Sequence, residues 1–128
     1  MNVVDSSGWL EYFSDGPNAS FFARPLSDPS SLIVPSISIF EVFKRILQQR
    51  DETSALESIA LMQQGRVVAL DASLAISAAK LSFDKKMPLA DTIILKTAEQ
   101  YSATLWSQDD DFKDIAGVKY VAKVQKSA

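Results

Sequence analysis

The chain contains no cysteine and no histidine. The first absence excludes disulfides, thiolate metal sites and cysteine nucleophiles, and the second removes the commonest general base and the commonest zinc ligand. Any hydrolytic chemistry must therefore run on carboxylates, hydroxyls, lysine or arginine. Long apolar runs are missing too: none approaches the ~18 residues of a membrane-spanning helix, and MNVVDSSGW at the start has no basic leader. No membrane partner is expected, and a cytoplasmic location is the default. Positive charge is in deficit, with 13 Lys and Arg against 16 Asp and Glu, which argues against a basic coat for nonspecific nucleic-acid binding. Acids that cluster locally are instead a candidate site for a hard cation. Apolar residues make up 47% of the chain, enough for one core, so a single domain over 1–128 is expected, with a frayed tail from Lys123.

Short apolar runs alternate with amphipathic stretches along the chain. Asn2 to Asp5 reads as a strand closing in a carboxylate, and Ser6-Ser7-Gly8 turns it into a helix carrying Trp9, Leu10 and Phe13. Asn18 to Leu26 is a short helix interrupted or ended by Pro25, since proline disfavours helix for the residue before it. Ser31 to Val34 is a second strand; Pro35-Ser36 then opens a helix with Ile39, Val42, Phe43, Ile46 and Leu47 on one face. A helix from about Asp51 to Gln64, with Leu56, Ile59, Ala60 and Leu61 as its apolar positions, ends at Gly65 and leads into a third strand, Arg66 to Leu70. Asp71 caps a helix carrying Leu74, Ile76, Ala78 and Leu81, which stops at Lys85-Lys86-Met87-Pro88. The last segments are a helix from Leu89 to about Tyr101, a strand from Ala103 to Trp106 and a strand from Val118 to Val121. This alternation predicts an α/β fold, a mainly parallel central sheet covered by helices on both faces, with its functional groups at the carboxyl ends of the strands.

Several acids fall at those ends. Asp91 is the most informative, because Ile94, Leu95 and Ala98 lie three, four and seven residues beyond it, which puts a carboxylate on the apolar stripe of its helix. A charge placed there needs a partner. Asp5 ends the first strand, where it serves equally well as a helix cap. Glu41 sits in the first turns after the second strand, although it falls opposite the main stripe and Ser38 three residues earlier also fits a capping box. Beyond the fourth strand, Ser107 and Gln108 precede three successive acids, Asp109, Asp110 and Asp111, at least one of which is expected to cap a short turn. Each pair of carboxylates brought to ~4 Å costs about 4 kcal/mol at an effective dielectric near 20, so a cluster of them requires a cation. Oxygen ligands alone select Mg²⁺ or Mn²⁺ over zinc or copper.

Four stretches in this order, VVDSS, PSISIFEV, LADTIIL and WSQDDDF, resemble the PIN-domain ribonucleases, specifically the compact VapC-type toxins of toxin-antitoxin pairs. The resemblance covers nearly the whole chain. It implies a three-layer PIN-like domain and a metal-dependent endoribonuclease that hydrolyses phosphodiester bonds of single-stranded RNA, with water as the nucleophile. Asp5 and Asp91 match the principal metal ligands, and Glu41 and Asp109 match the acids that complete the site. Ser6 and Ser107 stand where the family frequently has threonine and would support them, with Asp111 a secondary candidate; a shift of one residue would make Asp110 the ligand. Lys44, Arg45, Lys85 and Lys86 become candidates for RNA backbone contacts. The family further implies a VapB-type antitoxin whose segment would lie in a groove that Trp9, Phe13, Phe21 and Phe22 are placed to line, and a homodimer. Two other readings stay open on the residues alone. One is a phospho-receiver module using Asp71, which lacks the acid pair expected after the first strand, and the other is a catalytically silent PIN-like binding domain.

Overall fold

The computed structural model describes residues 1–125. Five strands form one sheet: β1 (Asn2–Val4), β2 (Leu32–Pro35), β3 (Arg66–Val68), β4 (Thr104–Ser107) and β5 (Val118–Tyr120). Their order is β3-β2-β1-β4-β5, and every pair is parallel. Because adjacent residues of a strand point to opposite faces, Val4, Leu32, Val34 and Trp106 enter one core while Val3, Ile33 and Leu105 enter another. Both faces are apolar, so both must be covered.

Helices α1 (Ser6–Phe13), α2 (Ala19–Leu26), α3 (Ser36–Gln49) and α4 (Glu52–Met62) contribute Trp9, Phe22, Val42, Ile46, Ala55 and Met62 to the first core. Helix α6 (Leu89–Gln100) lays Ile94, Leu95 and Ala98 on the second, and α5 (Ala72–Lys85) packs outside it through Leu74 and Ala78. The three-layer architecture expected from the sequence is the one observed. With β1 in the centre, the chain leaves it toward β2 on one side and returns through β4 on the other. The strand order thus reverses between β1 and β4, the place where open parallel sheets form a crevice.

Several local expectations need correction. Strand β4 begins and ends one residue later than its apolar run, because Ser107 finds buried partners that let a hydroxyl close the strand. Pro25 lies inside α2 as its penultimate residue, and the helix continues to Leu26. Helix α4 turns Ala55 and Met62 inward, seven residues apart, and leaves Leu56 and Leu61 exposed; on α5, Leu74 and Ala78 face inward while Ile76 is exposed. Both stripes are narrower than the run of apolar residues suggests, since these two helices pack chiefly on other helices rather than on the sheet. The expected tail falls partly on residues 126–128, which lie outside those described. Ala122, just before that tail, is tied down through its carbonyl oxygen, which accepts from Asn18 Nδ2 at 3.0 Å.

Candidate active site at the carboxyl ends of β1 and β4

Asp5 follows the last residue of β1 and caps α1, so the two roles weighed for it coincide. Its Oδ1 accepts from the Gly8 N–H at 2.8 Å, and Ser7 Oγ donates to both carboxylate oxygens at 2.9 and 3.0 Å. From β4, Ser107 Oγ donates to Oδ2 at 2.6 Å. Gly8 allows this turn to close, because a Cβ there would lie 2.6 Å from both Val4 Cγ1 and Phe22 Cε1. Burial pushes the Asp5 carboxyl up to about 6, with the donors Ser107, Gly8 and Ser7 pulling back and the Asp109 charge adding to the rise.

Asp91 occupies the first turn of α6 but does not cap it. Pro88 holds the cap position, and Asp91 shares the side of the helix that carries Ile94, Leu95 and Ala98 into the core. Its neighbours are acids: Asp91, Asp109 and Asp111 each present a carboxylate oxygen, all within 4.8 Å of one another. Burial first, then a hydrogen bond with the Asp111 carboxyl and the charges of Asp109, Asp111 and Asp5, raise the Asp91 carboxyl to about 8. The one ion pair among the described residues, Lys96 with Glu99, does nothing to relieve this crowding.

The acidic turn is held by its own hydrogen bonds. Ser107 Oγ, which donates to Asp5, also accepts from the Asp109 N–H at 2.9 Å, so one hydroxyl joins the two acidic stations. Asp109 Oδ1 accepts from the Asp111 N–H at 2.9 Å and caps a 3-10 turn over Asp110–Phe112, which Phe112 anchors in the core. Asp110 takes a different direction, accepting from Tyr120 Oη at 2.5 Å. Among the three consecutive acids, Asp109 and Asp111 therefore converge on Asp91 and Asp110 does not.

Glu41 reaches the same cleft from α3. It accepts from Ser6 Oγ at 2.7 Å, a bond across 35 positions, and lines a cavity of about 280 Å³ with Asp5, Asp91, Asp109 and Arg45. The capping box does not form: α3 already begins at Ser36, and the buried Ser38 hydroxyl has no partner. Glu41 is not one of the three acids that converge most closely. Of the aromatic residues considered for a groove, Trp9 and Phe22 are core residues; Phe13 instead joins Leu10, Ile46 and Leu61 in a cleft between α1, α3 and α4. Asp71 lies outside the acidic cleft and caps α5, accepting from the Leu74 N–H at 2.8 Å.

Sequence reasoning missed a buried polar clamp behind the site. Gln108 Oε1 accepts from Asn18 Nδ2 at 2.9 Å, and Gln108 Nε2 donates to the Ser7 carbonyl at 3.4 Å. With Asn18 and Gln108 separated by 90 positions, nothing local signals the pair.

A sheet of this order, with acids gathered where β1 and β4 end, agrees with the family to which the sequence points: residues 3–118 match the PIN domain, and the chain belongs to that family. The fold is also that of solved toxin structures. A toxin-antitoxin complex from Klebsiella pneumoniae matches with a TM-score of 0.77 at 22% identity, covering 93% of this chain and 96% of that one. VapC20 from Mycobacterium tuberculosis, described as a sarcin-ricin loop cleaving toxin, matches with a TM-score of 0.74 at 15% identity over 88% and 92%. DNA-bound VapBC from Salmonella typhimurium matches at 0.73 and 14% identity over 95% and 97%. Comparison with curated protein sequences returns no match.

Proposed function

We propose that this chain is a VapC-type endoribonuclease toxin that hydrolyses phosphodiester bonds of single-stranded RNA through a carboxylate-bound Mg²⁺ or Mn²⁺ centre. The observation that carries the reading is the convergence of Asp91, Asp109 and Asp111, none of them in an ion pair among the described residues, beside Asp5 at the strand switch. An all-oxygen donor set suits a hard divalent ion, and crowding that holds a proton on Asp91 at neutral pH favours exchanging that proton for a metal. Asp5, Asp91 and Asp109 are assigned as ligands, with Asp111 beside them and Glu41 completing the site. Ser6 fixes the Glu41 carboxylate, and Ser107 fixes Asp5 relative to Asp109. A divalent ion bound there supplies positive charge against the developing phosphorane and makes water a better nucleophile.

The solved structures of this fold include a toxin-antitoxin complex, a VapC toxin and a VapBC assembly, which supports a VapB-type antitoxin as partner. The cleft lined by Leu10, Phe13, Ile46 and Leu61 suits an apolar segment of it. A homodimer is supported by an apolar cavity of about 500 Å³ between α5 and α6, beside Phe83, 87% exposed, and Leu89, 70% exposed. No described helix is long and apolar enough to cross a membrane, and a cytoplasmic location is part of the proposal.

Purified protein incubated with total RNA tests the reading. Cleavage should require Mg²⁺ or Mn²⁺, stop with EDTA, and be lost in Asp5→Asn and Asp91→Asn; activity unchanged in both variants would sink the assignment. Metal binding without cleavage of any RNA would favour a silent binding domain.

A further inference from the structure

We infer that Arg45 is the substrate-binding cation of the cleft, the group that receives a non-bridging phosphate edge of the RNA beside the acids. The inference rests on the ribonuclease reading and adds a residue to it. Arg45 lies one helical turn beyond Glu41 on α3, and both line the cavity that contains Asp5, Asp91 and Asp109. A glutamate followed four residues later by a basic residue is the favourable orientation for a pair on a helix surface. Here that pair does not form. Glu41 is engaged by Ser6 Oγ at 2.7 Å, and the sole ion pair among the described residues is Lys96 with Glu99. Neighbouring Lys44 is occupied differently, its Nζ lying 5.9 Å from the centre of the Phe40 ring. Among the described residues, Arg45 is thus the one basic residue lining this cavity, and it has no carboxylate partner there in a cleft that holds four carboxylates.

Such a group has a specific use. A phosphodiester approaching the cleft is repelled by the acids, and a bound cation offsets that only at the cluster itself. A guanidinium at the rim offers two parallel N–H donors to two phosphate oxygens, which a lysine ammonium cannot do. Because Arg45 is exposed, it sheds little bound water before substrate arrives. The Ser6–Glu41 bond then has a second consequence: by holding Glu41 toward the cleft, it keeps Arg45 free for the phosphate.

The test compares wild type, Arg45→Gln and Arg45→Lys in two assays on the intact protein. Binding of a fluorescent 2′-O-methyl oligonucleotide of mixed sequence is measured in Ca²⁺ over a range of salt, and Mn²⁺ binding is measured without nucleic acid by electron paramagnetic resonance. Arg45→Gln should weaken oligonucleotide binding roughly tenfold and make the log–log salt slope shallower by about 0.7, the change expected for one lost phosphate contact on a single strand. Arg45→Lys should fall between, and Mn²⁺ affinity should stay within about twofold of wild type in both. Wild-type oligonucleotide affinity and salt slope in Arg45→Gln would overturn the inference, as would a parallel loss of Mn²⁺ affinity. A wild-type protein that binds Mn²⁺ but neither binds nor cleaves RNA would overturn the ribonuclease reading itself, and this assignment with it.

Discussion

Asp5 and Asp91 sit in one cleft, yet the more buried of the two is the less perturbed. Asp5, 3% exposed, is raised to about 6, whereas the half-buried Asp91 is raised to about 8. Their neighbours account for the difference. Asp5 is surrounded by donors, the hydroxyls of Ser7 and Ser107 and the Gly8 N–H, all of which favour its charged form. Asp91 faces Asp109 and Asp111, which disfavour it. The protein thus satisfies Asp5 internally and leaves Asp91 crowded by like charges.

The largest expected effect breaks that comparison at the level of chemistry. Asp91→Asn should lower RNA cleavage by about 10³-fold or more, while leaving the metal-free protein as stable as wild type or more so, because it removes like-charge repulsion. Cleavage kinetics and urea unfolding of the same preparation check both halves. A clear loss of metal-free stability in Asp91→Asn would contradict the crowding described for it.

Truncating Asp5 should behave in the opposite way toward stability. Asp5→Ala removes a helix cap and leaves the Gly8 N–H and the buried Ser107 hydroxyl without their acceptor, so a loss of roughly 2–4 kcal/mol is expected in EDTA. If Asp5→Ala unfolds at the wild-type urea concentration, the internal satisfaction assigned to Asp5 is wrong.

The pH dependence sharpens the contrast further. Both carboxyls are raised, so the folded state holds their protons more tightly than the unfolded chain does. Their contribution is therefore fully present below about 3.9, the ordinary aspartate value, and is lost as pH rises, through about 6 for Asp5 and about 8 for Asp91. Metal-free wild type should lose stability from about pH 4 upward, with a slope of about two protons as far as about 6 and about one proton from there to about 8. In Asp91→Asn the decline above about 6 should vanish and the slope below it should fall to about one proton, which urea titrations at about pH 4, 6 and 8 will show.

The smallest effect concerns the third aspartate of the acidic turn. Asp110 is exposed and bonded to Tyr120, so Asp110→Asn should change stability by less than about 0.5 kcal/mol and cleavage by less than about threefold. Asp109→Asn should cost far more activity. Equal losses in the two would mean that the turn presents its acids in another register.

How much of this was legible beforehand depends on distance along the chain. Asp91 was detectable because its conflict is local, a charge at the head of a stripe continued by Ile94, Leu95 and Ala98. The alternation of strands and helices was likewise enough for the three-layer fold. Glu41 was not decidable on its own helix, since Ser6, the partner that turns it toward the cleft, lies on another element. On the residues alone Ser107 fits a hydroxyl ligand and a turn residue equally well, because the reason it closes a strand, its bond to Asp5, spans 102 positions. The Asn18–Gln108 clamp gave no signal for the same reason. On α4, Leu56 and Leu61 were expected inside, and only the packing against α3 shows that Ala55 and Met62 take those places.

The most direct test of the central claim is calorimetric titration of the metal-free protein with Mn²⁺ at pH 7, repeated in two buffers of different ionisation enthalpy. Asp91 is largely protonated there, so metal should displace close to one proton per ion bound in wild type, and Asp91→Asn should lose both the tight binding and the proton release. Binding of equal affinity in Asp91→Asn, or binding to wild type with no proton released, would contradict the account.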